Sequence, residues 1–445
     1  MLLIKRMNVT VVGAGSAGLL SALVLKHKIP NCIVTVIHDP NEPVIGVGEA
    51  TVGSFMKMLN EDLGLNMDYF VEKVKPVIKY GVLYEFGKND FHYTFDNAFD
   101  FQSNDKSLPQ GFDFEGGNYG HTEYSKIMMN KGKGEYSGAV HVDNKLFLEY
   151  LENMALEKNI IFIDDKIESI KKKDDIIISL NDKYYADYFI DCSGFKSILS
   201  DEKYVSYSDS LVNDRAIFFR TKTKEKIRPY SHAITMNSGW LWVVDHSQGY
   251  SGNGYVFSSK YITDEEALKE LEEKYKMKIK DYKTIPFKTG RKERHWVGNV
   301  ITIGNADGFV EPLEATSLMT ILQSIRLTST VLEYGDKKGD LIERYNKFIN
   351  ELYDTIRDFI LIHFCFNDRL DTIYWRDYLK RIDKLPKDGI GYGVLDYYLK
   401  NNTHILFTNK YYEDINPFSL DGWFQMYRGL IPTEKDRKKI LEGLK

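Results

Sequence analysis

A strand, a glycine-rich turn, a helix and a second strand open the chain, and this unit constrains the fold more than any other feature of the sequence. Residues 7–12 are largely β-branched and predict a buried strand. The turn GAGSAG (residues 13–18) leads into an apolar helix, predicted over residues 17–27, and a second strand follows at residues 32–37. A GxGxxG turn in this context is typical of a dinucleotide-binding unit, because its glycines allow a tight turn and the close approach of a pyrophosphate.

The end of the second strand leaves one assignment open. In such units an acidic residue at this position binds the ribose hydroxyl groups. Here the strand ends in His38-Asp39, so either Asp39 acts from one position later or His38 donates a hydrogen bond instead. A second glycine-rich loop, GVGEAT at residues 46–51, leads into a helix predicted over residues 52–63.

Length and charge balance narrow the class of protein. A chain of 445 residues can bury a large core and is expected to hold two or three structural units. Its 59 basic and 64 acidic residues nearly cancel, which leaves no electrostatic argument for a nucleic-acid partner. No segment is long and apolar enough to predict a membrane span, and glycines interrupt the apolar run at the N-terminus, so we expect neither a membrane span nor a signal peptide.

Cysteine use and residue bias add two smaller points. Cys32, Cys192 and Cys365 lack the spacing of metal ligands, and Cys32 and Cys192 lie in apolar, strand-like runs. This pattern favours inert buried thiols over disulfides or a metal site, so we expect a cytoplasmic protein. The abundance of Tyr, Lys, Asn, Ile and Asp is typical of an AT-rich coding genome, such as a viral one.

The remaining pattern predicts an α/β (α+β) fold with a second sheet. Further strands are expected at residues 185–190, 215–220, 254–259 and 299–304, and helices from residue 327 onward. We expect a Rossmann-like core over residues 1–330, an antiparallel sheet inserted at about residues 201–285, and a helical region over residues 331–445. Residues 102–133, rich in Gly, Asn and Asp, predict a long surface loop.

One later stretch combines a carboxylate with a turn suited to anions. Glu314 precedes Ala315-Thr316-Ser317, which opens a helix, and such a turn offers backbone N–H groups and a helix dipole to an anion. Lys79 lies in an apolar stretch that predicts a strand with the lysine on a defined face. Taken singly, Glu314 also suits a charge at a helix N-terminus, and Lys79 a solvated surface lysine.

Six motifs, in order and with sensible gaps, resemble those of flavin-dependent halogenases of the tryptophan halogenase family. The resemblance runs through nearly the whole chain, and the motifs are VVGAGSAG (11–18), IGVGEATV (45–52), FIDCSG (189–194), SGWLW (238–242), GYVFSS (254–259) and GNADGFVEPLEATSL (304–318). The helical tail adds IRDFILIHF (356–364), DTIYW (371–375), and Trp423 with Gly429 and Pro432. The resemblance implies a Rossmann-like FAD-binding fold of the aromatic hydroxylase type.

The resemblance also implies a chemistry. Reduced FAD, oxygen and a halide (chloride, bromide or iodide) would form hypohalous acid, which travels through the protein to an aromatic substrate. The family's lysine maps onto Lys79, with Lys75 as the alternative, and its glutamate maps onto Glu314. Lys79 would bind the hypohalous acid or carry it as a haloamine, Glu314 would stabilise the cationic ring and take its proton, and Thr316 and Ser317 would hold the halide.

Cofactor and substrate positions follow from the same resemblance. The expected FAD-binding residues are Gly13, Gly15, Ser16, Ala17, Gly18, Asp39, Gly48, Glu49, Ala50, Asp307 and Pro312. The expected substrate contacts are Tyr93, Phe95 and Trp423. Because the chain has only one GxGxxG unit, no nicotinamide site is visible, and a separate flavin reductase is expected to supply FADH2. The sequence leaves the oligomeric state open, a homo-oligomer included.

Three departures from the family pattern concern the substrate side. Trp240 and Trp242 resemble the first half of the family's WxWxIP signature, but Val244-Asp245 replaces its second half. Two core tryptophans on one face of a strand would give the same pattern. Tyr93 stands where tryptophan-acting members have a histidine, and the tail between Trp375 and Trp423 is short. We therefore expect an open site for an electron-rich indole or phenol rather than free tryptophan.

Two other functions fit the same features. A flavin monooxygenase that inserts oxygen directly would need no halide and would not depend on Lys79. A catalytically silent flavoprotein would use its long loop and aromatic tail to contact a partner. His92 and His363 are expected to be hydrogen-bonded structural residues rather than catalysts.

Overall fold

The computed structural model describes most of the chain outside one long central stretch. The described residues are 6–42, 49–79, 81–86, 90–94, 139–223, 227–228, 230–335, 340–367, 369, 371–401, 417–431, 433, 435–436, 438 and 440. The loop predicted at residues 102–133 lies outside them.

A six-stranded sheet forms the base of the nucleotide-binding half. Five strands run parallel and one short edge strand is antiparallel. In spatial order the strands are β19 (Trp296–Val297), β20 (Val300–Thr302), β11 (Tyr188–Asp191), β1 (Asn8–Val12), β2 (Ile33–His38) and β8 (Ile161–Asp164). This arrangement confirms the predicted Rossmann-like sheet. The strand predicted to begin at Tyr185 begins three residues later, and Tyr185 is largely exposed.

A seven-stranded sheet forms the second layer. Its order is β17 (Tyr282–Pro286), β13 (Arg215–Lys222), β16 (Tyr250–Phe257), β15 (Gly239–Asp245), β14 (Ser231–Met236), β5 (Gly81–Glu85) and β6 (Phe91–Thr94). The sheet is antiparallel as predicted, except that β14 and β5 run parallel. This sheet joins residues that are far apart in sequence, because β5 and β6 lie well before the antiparallel sheet predicted at about residues 201–285.

Three smaller sheets accompany the two large ones. One contains β3 (Glu49–Ala50), β7 (Ala139–Val142) and β4 (Val77–Lys79), another contains β12 (Tyr204–Ser206), β18 (Gly290–Lys292) and β21 (Gly308–Phe309), and the third is the hairpin β9 (Ile170–Lys173) and β10 (Ile176–Leu180). The first of these sheets places Lys79 at the end of β4, beside Ala139 of β7.

Helices cover the sheets and dominate the C-terminal region, as predicted. They are α1 (Ser16–Lys28), α2 (Phe55–Leu63), α3 (Met67–Val74), α4 (Asn144–Glu157), α5 (Asp264–Tyr275), α6 (Ser317–Tyr334), α7 (Leu341–Cys365), α8 (Ile373–Leu379), α9 (Ile390–Asn401) and α10 (Ser419–Leu430). Among the described residues, no helix has the length and apolar character needed to span a membrane.

Alternation along β15 separates two hydrophobic cores. Trp240 is buried in the main core, which also contains α1, α6 and α7, and Trp242 packs against the same core. Leu241 and Val243 point to the opposite face, where α5 covers a second core. The three cysteines are buried free thiols, as expected.

Candidate active site

The turn between β1 and α1 has the shape that a pyrophosphate requires. Gly13 adopts a φ of +112°, and a Cβ there would collide with the Cys192 carbonyl. A Cβ at Gly18 would collide with the Gly13 carbonyl, so both glycines are needed for packing. A Cβ at Gly15, by contrast, would lie more than 4 Å from every described neighbour. Space therefore remains in front of the α1 N-terminus, and no described side chain caps that terminus.

Asp307 adds a buried acceptor near the same turn. Its Oδ1 atom contacts His295 Nδ1 and the Thr302 hydroxyl, each at 2.6 Å, whereas no described residue hydrogen-bonds its buried Oδ2 atom. The short 3₁₀ helix before it (Gly304–Ala306) approaches Ala17 so closely that a Cβ at Gly304 would lie 2.7 Å from the Ala17 Cβ. An open turn, helix amides and an unsatisfied carboxylate oxygen are donors and acceptors of the kind that FAD would use, so these residues fit the cofactor.

The two ribose candidates have local partners at the end of β2. His38 Nε2 lies 3.0 Å from the Asp164 carboxylate on the neighbouring strand β8. Asp39 accepts hydrogen bonds from the backbone and side-chain nitrogens of Asn41 at 2.9 and 3.1 Å. Both side chains are partly exposed.

Other expected cofactor contacts divide between described and undescribed residues. Ala50 lies in β3, and Pro312 opens the 3₁₀ turn that carries Glu314. Ser16 donates a hydrogen bond to Asn144 at 3.5 Å. Gly48, Phe95 and the side chain of Glu49 lie outside the described residues.

Lys79 is buried at the end of β4. The residue is 2% exposed, and its amine donates a hydrogen bond of 2.9 Å to the Thr51 carbonyl. Burial lowers the pKa of Lys79 to about 8, and the nearby Glu314 carboxylate acts in the opposite direction. Lys75, the alternative lysine, is exposed at the C-terminus of α3. The structure therefore brings Lys79, and not Lys75, into the electrostatic neighbourhood of Glu314.

Glu314 occupies a strained and fully enclosed turn. Glu314 and Ala315 have φ angles of +71° and +54°, which non-glycine residues rarely adopt. Such conformations cost about 1–3 kcal/mol each and tend to occur at functional sites. The Glu314 Oε1 atom accepts a short hydrogen bond from the Tyr84 hydroxyl and lies 3.0 Å from His363 Nε2.

The same turn delivers the start of α6. Thr316 is buried, and no described side chain caps the helix that begins at Ser317. The left-handed Ala315 followed by the right-handed Thr316 turns successive N–H groups toward one side, a geometry that suits an anion. The expected halide residues therefore lie directly beside the expected glutamate.

Glu311 fixes the first tryptophan of the WxW motif. Its Oε1 atom accepts hydrogen bonds from Trp240 Nε1 at 2.6 Å and Asn213 Nδ2 at 2.8 Å. Burial raises the pKa of Glu311 to about 7, and these two hydrogen bonds act in the opposite direction. Trp240 is thus both a core residue and a partner of the loop that carries Glu314.

Two of the expected substrate residues lie beside one phenylalanine of α7. Tyr93 and Trp423 are buried and approach Phe359 with ring centroids at 6.1 and 4.8 Å. Phe359 is also 5.1 Å from the ring of His363. The structure therefore joins Tyr93 and Trp423 to the environment of Glu314 through Phe359 and His363.

Sequence reasoning missed three residues of this site. Tyr84, His363 and Glu311 lie at positions whose local patterns predict only core or structural roles. His363 was expected to be a hydrogen-bonded structural residue, and it is hydrogen-bonded, but to Glu314 as well as to the helix backbone. The motif residue Glu311 carried a signal, because an acid directly before the Pro312 turn is unusual inside an apolar stretch.

Comparison with known proteins supports the expected relationship. The family model described as tryptophan halogenase matches residues 8–390. The tryptophan 7-halogenase RebH of Lentzea aerocolonigenes is 28% identical over 421 residues, covering 83% of this chain and 78% of the relative. The tryptophan 7-halogenase KtzQ of Kutzneria sp. (strain 744) is 30% identical over 421 residues, with the same coverage of 83% and 78%.

Comparison with a solved structure supports the same family fold. The flavin-dependent halogenase Xcc4156 from Xanthomonas campestris superposes with a TM-score of 0.81 at 21% identity, covering 99% of this chain and 94% of the other. The predicted fold class is thereby confirmed, and so is the resemblance drawn from the six motifs. On this evidence the chain is an enzyme of the tryptophan halogenase family, a family of flavin-dependent oxidoreductases.

Proposed function

We propose that this enzyme halogenates an electron-rich aromatic carbon, using FADH2, oxygen and a halide, and that Lys79 delivers the hypohalous acid. One observation carries the proposal: a buried amine with a lowered pKa lies in the electrostatic neighbourhood of a buried carboxylate, Glu314. A lysine and a glutamate at this depth are costly to keep in a folded protein without a chemical use.

The nucleotide half would hold the cofactor. Gly13, Gly15 and Gly18 would form the pyrophosphate turn, Asp307 would offer its Oδ2 atom, and the start of α6 would hold the halide. When bound, reduced FAD supplies with oxygen the oxidising equivalent that converts halide to hypohalous acid. A separate flavin reductase would deliver it in the reduced form.

Lys79 suits both ways of handling hypohalous acid. With a pKa of about 8, roughly a tenth of the amine is neutral at pH 7 and able to form a haloamine, and the remainder is an ammonium donor. The hydrogen bond to the Thr51 carbonyl fixes the direction of the amine. Burial keeps water away from a reactive halogen species.

The aromatic surroundings support the substrate class. Tyr84 contacts Glu314 directly, and Tyr93 and Trp423 are connected to it through the rings of Phe359 and His363. Aromatic rings of this kind favour a flat, electron-rich molecule. Glu314 would stabilise the cationic ring intermediate and accept its proton. We propose an indole- or phenol-like substrate, on the ground that Tyr93 replaces the histidine of tryptophan-acting members.

Mass spectrometry of an aromatic panel tests the proposal. Wild type, Lys79→Ala and Lys75→Ala would each be incubated with FAD, NADH, a generic flavin reductase, air and bromide. We expect a bromine isotope doublet from wild type and from Lys75→Ala, and at least a hundredfold loss of it from Lys79→Ala with unchanged FAD affinity. Lys75→Ala is the matched control, because Lys75 is exposed four residues away.

Other outcomes would identify the rival functions. Hydroxylated product without bromine would favour a flavin monooxygenase. Flavin reoxidation without any product across the panel would favour a silent flavoprotein. Bromination retained by Lys79→Ala and lost by Lys75→Ala would move the delivery role to Lys75.

A further inference from the structure

His363 is placed as the partner of Glu314 by two hydrogen bonds. Its Nδ1 atom lies 2.7 Å from the Phe359 carbonyl, one turn earlier in α7, and its Nε2 atom lies 3.0 Å from Glu314 Oε1. Both side chains are almost completely buried, with exposures of 0% and 1%. The geometry joins a long helix of the C-terminal region directly to the strained turn of the nucleotide half.

Hydrogen-bond accounting requires a proton between the two residues. The Phe359 carbonyl can only accept, so Nδ1 of His363 must carry a hydrogen. The Tyr84 hydroxyl donates to the same Glu314 oxygen, and burial, with the Glu314 charge, raises the pKa of Tyr84 well above its usual range, so the phenol keeps its proton. A carboxylate oxygen facing a bare Nε2 lone pair would be repulsive. The pair is therefore stable with one shared proton.

The charges around the pair favour its ionised form. Among the described residues, Lys79 on β4 and Tyr84 on β5 interact electrostatically with Glu314, and Tyr93 on β6 interacts with Tyr84. The positive charge of Lys79 favours the ionised carboxylate. A lone buried carboxylate would be costly, but a carboxylate with an imidazolium has no net charge. The Tyr84 donor also stabilises negative charge on Oε1.

We propose that His363 is a positioning residue that shares one proton with Glu314 and holds it as a carboxylate–imidazolium pair, ready to receive the substrate's ring proton. Both hydrogen bonds are to Oε1, so Oε2 is the atom that we assign to the ring proton. The inference rests on the function proposed above and assigns His363 a part in it.

The proton balance of the proposed reaction is simple. Hypohalous acid and an aromatic C–H give an aryl halide and water. The ring electron pair forms the carbon–halogen bond, the halogen–oxygen bond breaks with its electrons on oxygen, and the C–H electrons return to the ring. Glu314 takes the ring proton, so the Glu314–His363 pair then holds two protons. The pair gives one of them to the hydroxide, which becomes water, and returns to one proton.

Infrared spectroscopy tests the pair without catalysis. The carboxylic acid band of Glu314 is identified in the His363→Leu background, where adding Glu314→Gln should remove it. At pH 7 we expect this band to be absent from wild type and present in His363→Leu, whose side chain cannot share a proton. An identical band in both proteins, or in neither, would overturn the proposal. If His363→Leu fails to fold, His363→Met, which also lacks a polar hydrogen, replaces it, and the same band is expected.

Rate measurements test the effect of the Glu314–His363 pair on catalysis. Relative to wild type, we expect His363→Leu to lower kcat about 10²-fold at pH 7, as Glu314→Gln should, and to regain rate as the pH rises and Glu314 ionises. His363→Gln should recover most of the loss, and combining His363→Leu with Glu314→Gln should add little. A pH-independent loss in His363→Leu, or additive losses, would contradict the proposal.

A second histidine–glutamate pair provides the control. His232 Nε2 lies 2.9 Å from Glu85 Oε1, and Glu85 follows Tyr84 in β5, so it points to the opposite face of the sheet. His232→Leu should leave the pH profile unchanged. If wild type forms no halogenated product, the proposed function fails, whereas the infrared experiment still decides whether His363 ionises Glu314.

Discussion

Burial moves the proton affinities of two side chains near the site in opposite directions. It lowers the pKa of Lys79 to about 8 and raises that of Glu311 to about 7. In both cases the buried environment favours the neutral form, so an amine becomes a weaker base and a carboxyl group a weaker acid. Single residues thus acquire reactive or hydrogen-bonding forms near pH 7 that they lack in water.

Glu311 gives a residue-scale prediction about stability. Its pKa is raised above the ordinary value of 4.5. Its contribution to the free energy of unfolding is therefore fully present below about pH 4.5 and is lost as the pH rises through about 7. Glu311→Gln cannot ionise and keeps an acceptor for Trp240. The free energy of unfolding, measured with urea, should therefore shift in favour of Glu311→Gln. Between pH 4 and pH 8 the difference between the variant and wild type should change by on the order of 2–3 kcal/mol. A pH-independent difference would show that Glu311 is ionised in the folded protein.

At the scale of elements, turns place the chemistry and helices and strands hold the turns. The β1–α1 turn is fixed by packing at Gly13 and Gly18 and left open at Gly15. The Glu314 turn is fixed between a 3₁₀ turn and α6, and its two left-handed residues aim the carboxylate at α7. Neither the open space at Gly15 nor the strained backbone at Glu314 is needed to stabilise its turn.

Gly15→Val gives the element-scale prediction. Because a Cβ at Gly15 meets no described atom within 4 Å and φ is −76°, the variant should fold with near-normal stability. Its side chain would fill the space assigned to the pyrophosphate. We expect FAD affinity, measured by quenching of flavin fluorescence, to fall at least a hundredfold. Unchanged affinity would refute the assignment of the turn, and Gly18→Val, whose Cβ collides with the Gly13 carbonyl, should instead impair folding.

For the molecule as a whole, the seven-stranded sheet separates the site from a second core. Trp240 faces the main core and the site, whereas Leu241, Ile217 and Tyr255 face α5 on the other side. Residues on the α5 side therefore stabilise the sheet without contacting the groups assigned to chemistry. Stability and catalysis should be separable across this sheet.

Leu271→Ala tests that separation. Leu271 is a completely buried residue of α5, so its truncation should cost about 2–5 kcal/mol in the free energy of unfolding, measured with urea. FAD affinity under native conditions should change less than twofold. The partly buried Leu268 of the same helix provides a milder control as Leu268→Ala. A large loss of FAD affinity in Leu271→Ala would show that the two faces of the sheet are coupled.

Local pattern was enough to predict the elements that carry motifs. The glycine turn, the parallel sheet, the second sheet and the helical C-terminal region follow from periodicity and turn chemistry, which act over a few residues. Motif register likewise placed Lys79 on a strand and Glu314 before a helix. Strand ends were less well predicted, because pairing with neighbouring strands decides where Tyr188–Asp191 begins.

The sequence by itself therefore determined the family, the nucleotide-binding unit and the two residues expected to react. Only the tertiary structure decided which side chains surround them. His363 lies 49 residues from Glu314 and Tyr84 lies 230 residues from it, yet both contact one carboxylate oxygen. Such contacts depend on how β5, α7 and the Glu314 turn pack together, and burial at that junction sets the charges on which the proposed chemistry depends.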